Sequence, residues 1–140
     1  MSTVLGALIA EAQRTGRLAD LPEGHWIDGT FVPSISGAMM ETFDPGTGLA
    51  FAQFSAGSDE DVDRAVRSAR AALTGPWGRL RPAERGRILM HVAALIRQNA
   101  DRLAVVESLD SGKQLVEARG DVAGAAAPAG GTLIARSAPS

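Results

Sequence analysis

Asp28-Gly29 stands between two apolar triplets, His25-Trp26-Ile27 and Thr30-Phe31-Val32. No other feature restricts the folding of this chain so tightly. An Asp-Gly pair so placed predicts a two-residue hairpin, because both turn positions need positive φ. Leu21-Pro22-Glu23-Gly24 ahead of it is a loop signal, and residues 33–37 make another. Met39 to Phe43 reads as a strand. In Asp44-Pro45-Gly46-Thr47-Gly48 the proline fixes φ and the glycines accept left-handed conformations, so a turn is expected there. Residues 49–54 read as the next strand. Residues 20–56 are thus a small antiparallel β unit, whose strands need something to pack on.

From residue 57 the hydrophobic period becomes helical. Residues 57–73 carry the clearest signature. Ser58 is placed as N-cap with Asp61 as its partner three residues on. Asp59, Glu60 and Asp61 sit where the helix dipole favours negative charge, and Arg64, Arg67 and Arg70 follow. Val62, Ala65, Val66, Ala69 and Leu73 share one face. Thr74-Gly75-Pro76 stops this helix. After Trp77-Gly78 a second long helix starts near Pro82, with Ile88, Val92, Leu95, Ile96 and Asn99 in the three-four rhythm. A third is expected from Asp101, with Leu103, Val106 and Leu109 inward. Ser111-Gly112 interrupts it. Residues 113–126 are helical again, with Leu115, Val116, Val122 and Ala126 as candidates for burial. Residues 1–19 form either a helix capped by Ser2 or Thr3, with Val4, Leu5, Leu8, Ile9 and Ala12 as its stripe, or a frayed leader. Residues 127–140 read as a disordered tail.

Composition excludes several chemistries. Among 140 residues there is no cysteine, which removes disulfides, thiolate metal sites and a cysteine nucleophile. Two histidines, His25 and His91, are too few for a His-rich metal site. The 14 Lys+Arg against 16 Asp+Glu give a net charge of −2, no footing for a binder of nucleic acid driven by charge. No run approaches a bilayer span. A signal peptide is not expected, since Val4 to Ala10 is short and lacks a basic flank, and a cytoplasmic location is the expectation. Lys113 is the only lysine, so a lysine-dependent reaction has no other residue to use.

The candidate sites are weak. The 44–48 turn lacks the Gly-Lys-Ser/Thr of a phosphate loop, and Ser111-Gly112-Lys113 lacks its upstream glycine. Arg79, Arg81, Arg85 and Arg87 near Trp77 suggest either a stacking and phosphate patch or a solvated helix start with ion pairs such as to Glu84. His91 has no helical-spacing partner for a dyad, and His25 reads as a strand-edge residue. Asp59, Glu60, Asp61 and Asp63 are explained by the helix start. Glu107, Asp110, Glu117 and Asp121 give no acid–base pair. No catalytic, cofactor-binding or metal-ligating residue is assigned.

The order of motifs nevertheless resembles the N-terminal portion of the aldehyde dehydrogenase superfamily, over roughly Trp26 to Ala126. The matching pieces are Trp26-Ile27-Asp28-Gly29-Thr30-Phe31 and Phe43-Asp44-Pro45-Gly46-Thr47-Gly48. They are followed by Ser58 to Val66, Ala71-Ala72-Leu73 with Trp77, Pro82-Ala83-Glu84-Arg85 with Ile88-Leu89, and Glu107 to Lys113 with Glu117-Ala118. The resemblance implies an α/β class: a partial aldehyde-dehydrogenase-like fold with an N-terminal β-hairpin unit followed by three or four amphipathic helices. It divides the chain into a leader (1–19), an N-terminal part of that domain (20–126) and a tail (127–140). The family oxidises aldehydes to acids with NAD or NADP, through a cysteine nucleophile and a glutamate base. This chain has no cysteine, and the resemblance fades past Ala126. The expectation is therefore a truncated or frameshifted product, inactive alone and binding no cofactor itself. Alternatives are a non-enzymatic module docking on a full-length homologue or a separately encoded remainder, and a self-standing small helical protein. A homo-oligomer is allowed; nucleic acid and membrane are not expected as partners. Some members hold a structural monovalent cation, whose matching positions here are Thr42, Phe43 and Asp110, with a further ligand outside this chain.

Overall fold

The computed structural model describes residues 3–15, 18 and 20–127. Its first strands are β1 (His25–Ile27) and β2 (Thr30–Val32), paired His25↔Val32, Trp26↔Phe31 and Ile27↔Thr30. Asp28 at φ 54° and Gly29 at φ 77° form the expected turn. Trp26 and Phe31 meet edge to face at 4.7 Å between ring centroids, a cross-strand pair that locks the register.

A second ribbon joins β3 (Met39–Phe43) to β4 (Ala50–Ser55) in antiparallel pairing. The register moves between Thr42 and Phe43, so Phe51 has no direct partner on β3. A bulge of this kind bends the strand and re-aims a side chain, and Phe51 is buried. In the connecting turn Asp44 Oδ1 accepts from Gly46 N at 2.8 Å and Oδ2 accepts from Thr47 Oγ1 at 2.9 Å. The aspartate thus consumes the donors that a phosphate loop would have to present.

Helix α1 (Thr3–Thr15) precedes the strands, and helix α2 (Asp59–Thr74), which follows them, begins on a complete capping box. Ser58 Oγ accepts from Asp61 N at 3.3 Å, and Asp61 Oδ2 accepts from Ser58 N at 2.9 Å. Ser58→Ala is expected to cost the fold about 1 kcal/mol, read as a lowered urea midpoint; an unchanged midpoint would deny the cap its role. Gly75-Pro76 ends α2 as expected, but Pro76 also opens an unforeseen single turn, α3 (Pro76–Arg79). The reason is that proline suits a first helical position. Then follow α4 (Pro82–Gln98), α5 (Ala100–Ser111) and α6 (Leu115–Ala125). Between α5 and α6, Gly112 takes the left-handed conformation at φ 71°.

Helix α1 packs beside α5. The core gathers there: Leu18 and Val105 are buried, with Leu8, Ala12, Leu21, Val106, Leu109 and Leu115 packed around them. Ala104 on α5 and Ala118 on α6 are fully buried where small side chains suit closely packed helices. The proposed cap Ser2, the side chains of Val4, Leu5 and Ile9, and the tail at 128–140 lie outside the described residues.

Two burial assignments need correction, Leu103 on α5 and Val116 on α6, which are both exposed. The apolar residues Val62, Val66 and Leu73 that share a face of α2, and Ile88, Val92 and Leu95 on α4, are exposed as well. Val116 on α6 is 70 % exposed, while Ala118 and Ala126 on the same stretch are buried. Periodicity marks a face that prefers burial, and the described residues offer these faces no partner.

Candidate functional site

Two places bring functional-looking side chains together. At the first, the 44–48 turn lies against the break between α5 and α6. Thr42 Oγ1 donates to Asp110 Oδ1 at 2.7 Å. Gly112 lies so close to the Pro45 ring that an added Cβ would sit 2.7 Å from Pro45 Cγ. Ser108 Oγ donates to the Lys113 carbonyl at 2.8 Å, and Ser111 Oγ donates to the Glu107 carbonyl at 2.6 Å. The Lys113 ammonium lies 2.6 Å from Glu107 Oε1 and 2.7 Å from Asp121 Oδ2. The hydrogen bonds to Asp121 and Glu107 hold it above the usual lysine range, with burial working the other way. A lysine so neutralised is a brace between α5 and α6 and not a nucleophile, which needs the free amine. Beside this junction is a cavity of about 550 Å³ bordered by α1, β4, α5 and α6, with Arg14, Thr15, Asp44, Thr47 and Ser108 as its polar lining.

Of the three positions matched to a cation site, the structure brings Thr42 and Asp110 into contact. Their oxygens fall short of the roughly six that a hard cation takes, so these two residues do not fit such an ion unaided. Among the described residues no three His, Cys, Asp or Glu side chains cluster at metal-binding range.

The second place is centred on Asp61. The residue is 3 % exposed. Besides Ser58, it accepts from Ser34 Oγ at 2.9 Å and from Ile35 N at 3.1 Å. The Ser58 backbone N–H, aided by Ser34 and Ile35 and opposed by burial, holds this carboxyl well below the usual range. The capping box is legible in sequence; the tie to Ser34 and Ile35 is not, because those residues are distant along the chain. The remaining candidates stand apart. His91 is exposed on α4. His25 is on β1 with Nε2 buried and lacking a hydrogen-bond partner among the described residues. Arg81 pairs with Glu84, its guanidinium donating to Oε1 at 3.0 Å and its N–H to Oε2 at 2.8 Å, as a helix start requires. The Arg81 side chain first, then its N–H, draws the Glu84 carboxyl below its usual range.

Neither place assembles a nucleophile, a base and an oxyanion stabiliser. The molecule presents apolar surface instead. On α4, Ile88, Leu89, Met90, Val92 and Leu95 are all exposed. At 100° per residue, three consecutive positions, 88 to 90, already spread over more than half of the helix circumference. A helix apolar over so much of its girth is one buried in a larger body. Trp26, Leu73 and Val116 are more than 60 % exposed on β1, α2 and α6. Exposed apolar surface on this scale marks a site of protein contact. Among the described residues no helix is long and apolar enough to cross a membrane.

Comparison with known proteins gives this surface a context. The aldehyde dehydrogenase family matches residues 31–129. An aldehyde dehydrogenase of Aspergillus niger is 41% identical over 105 residues, which are 75% of this chain and 21% of the relative. An aldehyde dehydrogenase-like protein of Schizosaccharomyces pombe is 38% identical over 128 residues, 90% of this chain and 25% of that protein. Among solved structures, HpcC of Thermus thermophilus superposes with a TM-score of 0.77 at 39% identity, covering 86% of this chain and 23% of that one. PnpE, solved in complex with nicotinamide adenine dinucleotide, superposes at 0.69 with 35% identity over 74% of this chain and 21% of its own. The chain therefore spans about a fifth to a quarter of the length of the relatives it matches.

Proposed function

This chain belongs to the aldehyde dehydrogenase family, and we propose that it supplies the N-terminal scaffold of an oxidoreductase that converts an aldehyde to a carboxylic acid with NAD or NADP. In that reading these 140 residues contribute structure, and the chemistry belongs to a catalytic body that covers α2 and α4. One observation carries the reading: α4 is apolar around most of its girth and exposed. The sequence adds a second support, since it has no cysteine to attack a carbonyl. The cofactor is assigned to the complete enzyme and not to this stretch, whose titratable clusters around Lys113 and Asp61 are saturated by internal partners.

The 140-residue chain assayed with NAD⁺ or NADP⁺ and short aldehydes is expected to show no turnover above buffer. Sustained, enzyme-dependent reduction of the cofactor would overturn the reading. The same exposed faces also favour a second reading, a non-enzymatic module that docks on a homologous enzyme or a separately encoded remainder. Size-exclusion chromatography with and without a full-length homologue separates the two. A stoichiometric complex favours the module, and independent elution removes it.

A further inference from the structure

The two edges of the β3–β4 ribbon are not alike. Ala56 N donates to Ala38 O at 2.8 Å, and Asp44 N donates to Leu49 O at 3.0 Å. Antiparallel ladders alternate bonded and non-bonded pairs, so these two bonds set the phase at either end of β3. The backbone groups of Met40 and Thr42 face β4, and those of Met39, Glu41 and Phe43 face away. On β4 two outward groups, one near each end of the strand, are used: Ser55 N donates to Glu23 O at 2.6 Å, and Phe51 O accepts from Leu18 N at 3.3 Å. On β3 the outward N–H and C=O groups of Met39, Glu41 and Phe43 enter no hydrogen bond among the described residues.

The side chains of β3 carry the same message. Met39 and Phe43 are exposed on one face and Met40 on the other. A strand apolar on both faces is built to be covered on both of them. Natural edge strands are blunted by lysine, proline or inward-pointing charge, whereas β3 offers a lone charge at Glu41. We propose that β3 is an interior strand of the complete enzyme, and that its outer edge receives an extended, apolar segment from the part of the family's chain beyond this one. This rests on the scaffold reading above. The relatives supply the occupant, since about four-fifths of the Aspergillus niger enzyme lies outside the match. A second copy of this chain is disfavoured by charge. The two-fold antiparallel pairing that uses all three outward residues is centred on Glu41, and it sets two carboxylates directly opposite each other, a destabilising pair.

Amide hydrogen exchange tests the proposal. It is measured on the 140-residue chain and on a chimera in which this chain's sequence replaces the matched 105-residue stretch of the Aspergillus niger aldehyde dehydrogenase. The amides of Met39, Glu41 and Phe43 are expected to exchange freely in the chain alone and at least about 100-fold more slowly in the chimera. Those of Met40 and Thr42, bonded to β4, provide the internal reference. Glu41→Pro, which removes an N–H the ribbon does not use, is expected to spare the reference amides and to return Met39 and Phe43 to fast exchange in the chimera. An aldehyde-oxidising chimera whose outward amides stay fast overturns the edge assignment and leaves the scaffold reading intact. A soluble chimera without aldehyde oxidation overturns the scaffold reading and this proposal with it. Slowing that grows with concentration in the chain alone makes a second copy the occupant and overturns the proposal. If the chimera is insoluble, co-expression of this chain with the rest of the Aspergillus niger enzyme provides the complex for the same amides, and failure to co-purify counts against both readings.

Discussion

Gly78→Ala is expected to destabilise the chain by about 3 kcal/mol, while Gly120→Ala leaves it unchanged or stabilises it by up to about 1 kcal/mol. Both glycines lie within helices, α3 and α6. Propensity alone therefore predicts a gain at each, because alanine loses less backbone entropy than glycine on entering a helix. Space decides otherwise at one of them. A Cβ on Gly120 meets nothing within 4 Å. A Cβ on Gly78 would land on the Leu73 carbonyl oxygen and come 2.6 Å from the carbonyl carbon. Those atoms belong to the last turn of α2, where the helical ladder and the Gly75 N–H bonded to Ala71 O at 2.9 Å hold the backbone in place. They cannot swing aside as a side-chain tip can, so α3 must lift off α2. Trp77 on α3 borders the groove that α2 shares with the β1–β2 turn, so that groove is expected to deform with it. Urea unfolding followed by helical circular dichroism compares the two variants. Equal midpoints would show that α3 does not rest on α2.

Local chemistry is readable in this chain and distant contact is not. The Asp28-Gly29 turn, the Asp44-to-Gly48 turn, the Ser58 cap and the Pro82 helix start are each decided within a few residues, and each stands where the residues put it. The bulge that buries Phe51 depends on pairing across the ribbon, so the β4 strand is displaced by one residue from its expected bounds of 49–54. Pro76 is readable as a stop for α2, yet the same ring preorganises the next turn. The apolar stripes are legible as stripes, but a stripe does not name its partner. Ala104 and Ala118, which are buried most completely, carry little hydrophobic signal of their own, while Leu73 and Val116, which carry more, are exposed. Of the site, the contact between Thr42 and Asp110 is reachable only through resemblance, since 68 residues separate them. The open edge of β3 is not reachable at all, because it depends on which backbone groups of β4 are already taken by Leu18 and Glu23.

Asp61→Asn is expected to flatten the acid side of the chain's stability curve while lowering its level at neutral pH. The carboxylate is held below the usual range chiefly by the Ser58 N–H, then by the Ser34 hydroxyl and the Ile35 N–H, with burial working the other way. An unfolded aspartate titrates near about 3.9. A carboxyl with a depressed folded-state value gives stability that is fully present above that unfolded value, and that is lost as pH falls through the folded one. Wild-type stability should therefore drop from about pH 5 downward, where the unfolded chain takes up a proton the folded chain refuses. Asparagine cannot take up that proton, so its contribution to the slope vanishes. It also turns an amide NH₂ toward a cluster in which the Ser58 and Ile35 N–H groups already donate, leaving donors facing donors at a buried position. The two consequences have opposite visibility: the level falls most at about pH 7, and the two curves converge as pH falls. Glu84, lowered by Arg81, keeps a residual slope of the same sign in both proteins. Urea midpoints collected between about pH 7 and about pH 3 read the difference, and parallel curves would mean that Asp61 is no more strongly held in the folded chain than in the unfolded one. Ser58→Ala removes the hydroxyl that accepts from Asp61 N and donates to Asp61 Oδ2, and leaves the Asp61 bonds to the Ser58 N–H, Ser34 and Ile35 in place. It should therefore lower the level with most of the acid slope retained, which separates a helix cap from a carboxylate that ties the 33–37 loop to α2.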